Sequence, residues 1–168
     1  MSSELPPGYW LRSGSGLDRA LLLKFLTRTY QEFEPAGDFA HLAQTVEHYF
    51  SSKTPLWWVE LASQYSPSSD LPSAIRHPLA CLWLGNVVDQ VRGDRHAHIF
   101  LLYVTPEHRR RGIGSALVRH AENWARKRGD RQIGLQVFQA NQPALNLYGK
   151  LGFQTQSLWM VKPLQNDF

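Results

Sequence analysis

The run Val104-Thr105-Pro106-Glu107-His108-Arg109-Arg110-Arg111-Gly112-Ile113-Gly114-Ser115-Ala116-Leu117 passes from an apolar strand through a basic, glycine-spaced turn into an amphipathic helix. Residues of these types in this order suit an anion. Glycines at 112 and 114 let the backbone approach a ligand closely, and the first helical turn offers unpaired amide hydrogens at the positive end of its dipole. The turn lacks the Gly-Lys-Ser/Thr of a nucleoside triphosphate loop, and no acidic residue is placed for a dinucleotide ribose, which disfavours both ligands. A second block stands downstream, Val137-Phe138-Gln139-Ala140-Asn141-Gln142-Pro143-Ala144-Leu145-Asn146-Leu147-Tyr148-Gly149-Lys150-Leu151-Gly152-Phe153. It carries a helix-start asparagine and a phenol that could donate a proton.

The spacing Arg109-x-x-Gly112-x-Gly114 resembles the acetyl-coenzyme A (acetyl-CoA) motif of the GNAT acetyltransferase superfamily, and the preceding Val-x-Pro-Glu is usual there. The downstream block resembles the family's Asn-x-x-Ala-x-x-x-Tyr-x-x-x-Gly-Phe, with Asn141, Ala144, Tyr148, Gly152 and Phe153 at the anchors. The likeness is strongest over residues 97 to 163. It implies acetyl-CoA as co-substrate, without a metal. It implies a pyrophosphate on the amides of Arg110, Arg111, Gly112, Ile113, Gly114 and Ser115, with Arg109 as a charge partner, and a pantetheine arm along the backbone of Leu102, Tyr103 and Val104. Asn141, with Ala144 beside it, would contact the coenzyme, and Tyr148 would protonate the departing thiolate; a helix N-cap and a packing role are the alternatives for Asn141 and Tyr148.

The general base is less defined. Histone-modifying relatives place a glutamate six residues before the valine, and that position here is His98. Histidine, with a pKa near about 6.5, is a competent base at neutral pH. Its parity matches Phe100 and Leu102, so it faces the acetyl group if no bulge intervenes. A structural histidine, Glu60, and a water chain are alternatives. Tyr30, Phe33, Glu34 and Phe39, with Glu32 and Asp38, combine aromatic and acidic groups that suit a cationic amine, although a solvated turn has the same composition. The reaction implied is direct transfer of acetyl to a primary amine in a ternary complex. The acceptor is a small-molecule amine or a peptide or protein amine, and a homodimer through the last strands is left open. Two other readings compete: an acyl-CoA-binding module without catalysis, and nucleic-acid binding through the basic cluster 109–131. Coenzyme phosphates suffice to account for that cluster, so no nucleic acid is expected.

The elements must position these groups. At 168 residues, with 43% hydrophobic and 19% charged residues and a net charge of +4, the chain fits one soluble domain over 1–168. No run approaches the roughly 20 apolar residues of a membrane span, and the first residues lack a signal-peptide pattern, so a cytoplasmic location is expected. The single cysteine, Cys81, lies in the apolar run Leu79 to Leu84 and reads as a buried, inert thiol.

Tyr9 to Arg12 suggests a first strand. Apolar residues from Leu17 to Phe33 repeat with helical spacing, Phe39 to Phe50 reads as a second helix, and Leu56 to Leu61 as a strand. Residues 62 to 78 form a Ser/Pro-rich surface loop before the strand Leu79 to Val88. The fourth strand, about Ala97 to Val104, is apolar on both faces. Helix three spans Ile113 to Arg128, strand five Ile133 to Phe138 and helix four Pro143 to Leu151, and one or two closing strands follow over Phe153 to Pro163. The strand-helix-strand order from 97 to 138 demands a parallel pair. The expected architecture is α/β (α+β): a GNAT-like mixed central sheet of six or seven strands with helices on both faces. The resemblance adds that strands four and five splay apart around the coenzyme.

Overall fold

A computed structural model describes residues 4–64 and 77–164, and most of the expected 62 to 78 loop lies outside these. By its internal contacts the chain divides into two compact units, Met1–Gln136 and Val137–Phe168. The first contains β1 (Tyr9–Ser13), α1 (Arg19–Gln31), α2 (Leu42–Tyr49), β2 (Leu56–Leu61), β3 (Ala80–Val88), β4 (Arg95–Val104), α3 (Ile113–Arg128) and β5 (Ile133–Leu135). Its sheet runs β1-β2-β3-β4-β5, antiparallel as far as β4 and parallel between β4 and β5. The crossover that the parallel pair requires is α3.

Alternation along β2 sends Trp58 to one face and Trp57 to the other. Trp58 packs with Cys81, Trp83, Leu101 and Tyr103 beneath Leu22, Phe25 and Leu26 of α1 and Leu42 and Val46 of α2. Trp57 meets His120 and Trp124 of α3 edge to face, at 4.7 and 6.3 Å between ring centroids. Helices therefore cover both faces. Burial of each large side chain in these layers contributes about 1.5–3 kcal/mol.

The helix ends follow local chemistry. Ser15 and Asp18 form a reciprocal capping box ahead of α1, with the Ser15 amide donating to Asp18 Oδ2 at 2.8 Å. α3 stops where Gly129 turns left-handed at φ +91° and the Asp130 amide reaches back to the Ala125 carbonyl at 3.0 Å. No helix among the described residues is long and apolar enough to cross a membrane.

The second unit holds α4 (Gln142–Lys150) and a tail. Here the structure departs from expectation: residues 153–164 carry no strand, so the sheet has five strands among the described residues rather than six or seven. Leu158, Trp159, Met160 and Val161 are all largely exposed, because without a neighbouring ladder an apolar strand pattern has nothing to pack on. Strand five is also shorter than its apolar run suggested, ending at Leu135.

Candidate functional site

The basic turn adopts a conformation its sequence alone does not declare. After a short 3-10 turn over Pro106–His108, Arg110 sits at φ +64° and Gly112 at φ +85°. A left-handed non-glycine residue costs about 1–2 kcal/mol, and left-handed residues in a turn are of the kind that can gather backbone N–H groups around an anion. A Cβ at Gly112 would meet only Pro6, at 3.8 Å, so backbone conformation rather than crowding calls for glycine there. The first backbone bond of α3 runs from the Ala116 amide to the Gly112 carbonyl at 3.0 Å, leaving the amides of Ile113, Gly114 and Ser115 without helical partners.

The three arginines of the turn have different tasks. Arg109 donates from Nη2 to Glu32 Oε1 at 2.6 Å and from Nε to the Val104 carbonyl at 2.8 Å, with its guanidinium over the Tyr103 ring. The Tyr103 hydroxyl donates to the same Glu32 oxygen at 3.1 Å. Burial, reinforced by the neighbouring Glu32 charge, raises the Tyr103 phenol above its ordinary range. Arg109 thus clasps α1 to β4, and Glu32 already holds the guanidinium that the resemblance offers to a phosphate. Arg111 donates to the Tyr9 hydroxyl at 3.2 Å, and that hydroxyl also bonds His108 Nδ1 at 3.0 Å. Arg110 has no side-chain hydrogen bond or ion pair to another described residue.

Beside the turn, β4 outruns its parallel neighbour. β5 pairs only with Ala97, His98 and Ile99, so from Phe100 to Val104 no described strand ladders against that side of β4. The Thr105 amide donates toward β3, to the Leu79 carbonyl at 2.8 Å. By alternation the Tyr103 amide also faces β3, whereas those of Leu102 and Val104 face the unladdered side. Of the three backbone positions named from the sequence, two offer an amide there.

A bulge decides where His98 points. The β3–β4 register shifts between Trp83 and Leu84: Trp83 pairs with Leu101, Leu84 with Ile99, and Phe100 is the extra residue. Leu101 and Tyr103 lie in the α1–α2 core, and the Phe100 ring packs there too, 5.1 Å from Trp83 and 5.7 Å from Tyr49. His98 meets Phe100 at 5.6 Å and so shares this face with Leu101 and Tyr103, not with Leu102 as strict alternation implied. Burial and, secondarily, the neighbouring His96 hold the His98 imidazole below the usual histidine range, which keeps it neutral and able to accept a proton.

Glycines flank His98 on both sides, Gly85 in β3 and Gly134 in β5. A Cβ on Gly85 would lie 2.0 Å from the Phe100 ring, so this glycine makes the seat in which that ring rests. Glu60, the other base considered, accepts from Arg12 Nε at 2.9 Å and belongs to an ion-pair cluster with Asp18. Cys81 is fully buried, and burial pushes its thiol far up, as expected of an inert cysteine.

In the Val137–Phe168 unit, Asn141 Oδ1 accepts from the Ala144 amide at 3.2 Å, the N-cap geometry. At the other end of α4, Gly152 turns left-handed at φ +91° and the Phe153 amide bonds the Tyr148 carbonyl at 3.0 Å. This cap folds the Phe153 ring back onto Tyr148, 5.5 Å away, which gives the Tyr-x-x-x-Gly-Phe spacing a local purpose. Burial pushes the Tyr148 phenol up to about 12.

Of the acceptor residues suggested by composition, Tyr30 and Phe39 stack at 6.2 Å, and Phe33 and Glu34 are exposed on the turn after α1. A shallow depression between α1 and α2 is lined by Phe39 with Thr27, Gln31 and Asp38, and does not include Tyr30, Phe33 or Glu34. Among the described residues, no three His, Cys, Asp or Glu side chains are grouped to hold a metal ion. Sequence reasoning missed His96, Phe100, Gly85 and Gly134; a His-x-His pair and glycines inside strand patterns were the available signals.

A model of the acetyltransferase (GNAT) family matches residues 23–153. The chain belongs to this family. An uncharacterized N-acetyltransferase of Methanocaldococcus jannaschii is 35% identical over 78 residues, covering 46% of this chain and 33% of that one. The streptothricin acetyltransferase of Streptomyces lavendulae is 46% identical over 50 residues, 30% of this chain and 26% of that enzyme. The matches thus span about a third or less of these curated relatives. Among solved structures, a predicted acetyltransferase from Clostridium acetobutylicum with acetyl-CoA superimposes with a TM-score of 0.69 at 20% identity, covering 92% of this chain and 96% of that one. That likeness shows the GNAT fold.

Proposed function

We propose that this GNAT member transfers acetyl from acetyl-CoA to a primary amine, in a ternary complex without an acyl-enzyme, with residues 1–168 acting as one catalytic domain. The left-handed turn at Arg110 and Gly112, which leads into the unpartnered amides of α3, carries the reading. It fits a pyrophosphate by backbone alone, and Arg110 has no competing partner among the described residues. The amides of Leu102 and Val104 fit a pantetheine arm, which leaves β4 as a fixed strip of donors for the carbonyl oxygen as negative charge gathers on it. Acetyl-CoA supplies the activated acyl group, a thioester.

His98 is the proposed base, taking a proton from the acceptor ammonium on the face it shares, because of the bulge, with Phe100, Leu101 and Tyr103 rather than with Leu102. Tyr148 is the proposed acid. With its phenol raised to about 12 it stays protonated at neutral pH, but donation to a thiolate, whose conjugate acid lies near about 8.5, is uphill and must accompany breakage of the thioester bond. Asn141 spends its carbonyl oxygen on the helix cap and keeps its amide nitrogen for the coenzyme. Tyr30, Phe33, Glu34 and Phe39 are the proposed acceptor residues, for a small-molecule or peptide amine.

The test is thiol release from acetyl-CoA across a panel of amines, peptides and aminoglycosides, with initial rates measured against both substrates. Intersecting double-reciprocal lines support the ternary complex, and parallel lines defeat it. Calorimetric binding of acetyl-CoA with no turnover on any amine would favour a non-catalytic acyl-CoA-binding module.

A further inference from the structure

His96, two residues before His98 on β4, takes no part in the function proposed above, yet it is the more buried of the two, 7% exposed. Its partner is Gln132. Gln132 Nε2 lies 3.2 Å from His96 Nδ1 and donates to Asp89 Oδ2 at 3.3 Å. An amide nitrogen has hydrogens to give and no lone pair to accept with, so His96 Nδ1 must be the acceptor. The neutral ring then carries its hydrogen on Nε2.

That edge of the ring is aimed at the seat of His98. A Cβ built on Gly134 would lie 3.2 Å from His96 Nε2 and 3.4 Å from His98 Nδ1, so both imidazoles lean over the one position of β5 that has no side chain. We propose that His96 is a positioning residue for His98: anchored through Gln132 to Asp89, it fixes how His98 sits over Gly134 and how readily His98 takes a proton from the acceptor amine. This rests on the reading of His98 as the base.

Few other charges compete. From β5 the neighbours are Ile133, Gly134 and Leu135, none titratable. From β3 they are Gly85 and Asn86, and from α2 His48 and Tyr49, which reach His98 only through Phe100. Arg95 precedes His96 in the strand. Asp130, which accepts from the Ala97 amide at 2.7 Å, is closed in an ion pair with Arg128. Arg131 is likewise paired with Asp94. His96 is thus the nearest titratable side chain to His98, both rings leaning over Gly134.

The experiment is a ring-carbon NMR titration of His98 in the full chain, alongside the pH dependence of kcat/KM. His96→Asn keeps an acceptor for Gln132 and removes the neighbouring imidazole; it should raise the His98 midpoint by about half a pH unit or more and move the acid limb of kcat/KM the same way. Gln132→Leu, at an exposed position, removes the donor that anchors His96 over Gly134 and should also move the His98 midpoint. A His98 midpoint that moves in both variants distinguishes positioning from a packing role, which would change stability and leave that midpoint in place. An unmoved His98 midpoint in both variants, or a neutral His96 found by long-range nitrogen correlations with its hydrogen on Nδ1, overturns the proposal. Midpoints that move as expected while the acid limb stays fixed would uphold the positioning and overturn His98 as base.

Discussion

Arg109 and Glu32, 77 positions apart in sequence, meet at 2.6 Å and join the end of α1 to the basic turn. The same guanidinium holds the Val104 carbonyl, so one side chain spans helix, strand and turn. Replacing it with lysine keeps the charge but loses the fork. Because the pair is substantially exposed, Arg109→Lys should alter stability by less than about 1 kcal/mol. The KM for acetyl-CoA should nevertheless rise several-fold, because the turn and the open edge of β4 lose their common anchor. A melting curve and saturation kinetics check both halves.

Gly112→Ala places a methyl in ordinary contact with Pro6, at 3.8 Å, but at φ +85°. The cost is conformational, about 1–2 kcal/mol, and the turn relieves it by rotating its amides. Acetyl-CoA affinity measured by calorimetry should fall at least tenfold, and Gly112→Asn should fall less because asparagine tolerates left-handed geometry.

Gly85→Ala should be the most damaging small substitution on the sheet. Its methyl would collide with the Phe100 ring, which is enclosed by Trp83 and Tyr49 and next to His98. Overpacking of this kind costs about 1–3 kcal/mol. Chemical denaturation should show the loss, and kcat should drop along with it.

Tyr148→Phe should lower kcat by about 100-fold or more while leaving acetyl-CoA binding within about threefold. It should also change alkaline stability. The folded phenol titrates at about 12 and the unfolded one near about 10, so between these values the folded state holds the extra proton, and stability falls as pH rises. The phenylalanine variant should lose that slope in denaturation curves taken across about pH 10–12.

His98 acts in the opposite sense. Its imidazole is held below the usual range, so as pH falls through about 6.5 the unfolded chain takes up a proton first and the fold loses stability. His98→Gln should flatten that acid slope.

How much of this was legible beforehand differs by element. Strand β2 and helix α3 have the bounds their sequences suggested, β2 from its aromatic and β-branched content and α3 from an apolar stripe that stops at Gly129. The strand carrying His98 was readable only as apolar. Ile99-Phe100-Leu101-Leu102 has no polar residue to mark parity, so the bulge that swings Leu101 onto the face of His98 left no trace in composition. Partners distant in sequence were equally hidden: Arg109 looked available because Glu32 stood in another segment, and Glu60 because Arg12 did. In the last segment, an apolar pattern was present at Leu158 to Val161, yet pattern alone does not supply the neighbouring strand that a ladder needs.

Cys81, the lone thiol, lies on β3 between β2 and β4 with no exposed surface. An alkylating reagent can reach it only when the sheet opens. Its modification rate is therefore a built-in clock: at high reagent concentration it counts opening events, at low concentration it weighs the open population. The chain needs no added label to report whether acetyl-CoA, once added, slows the breathing of its own core.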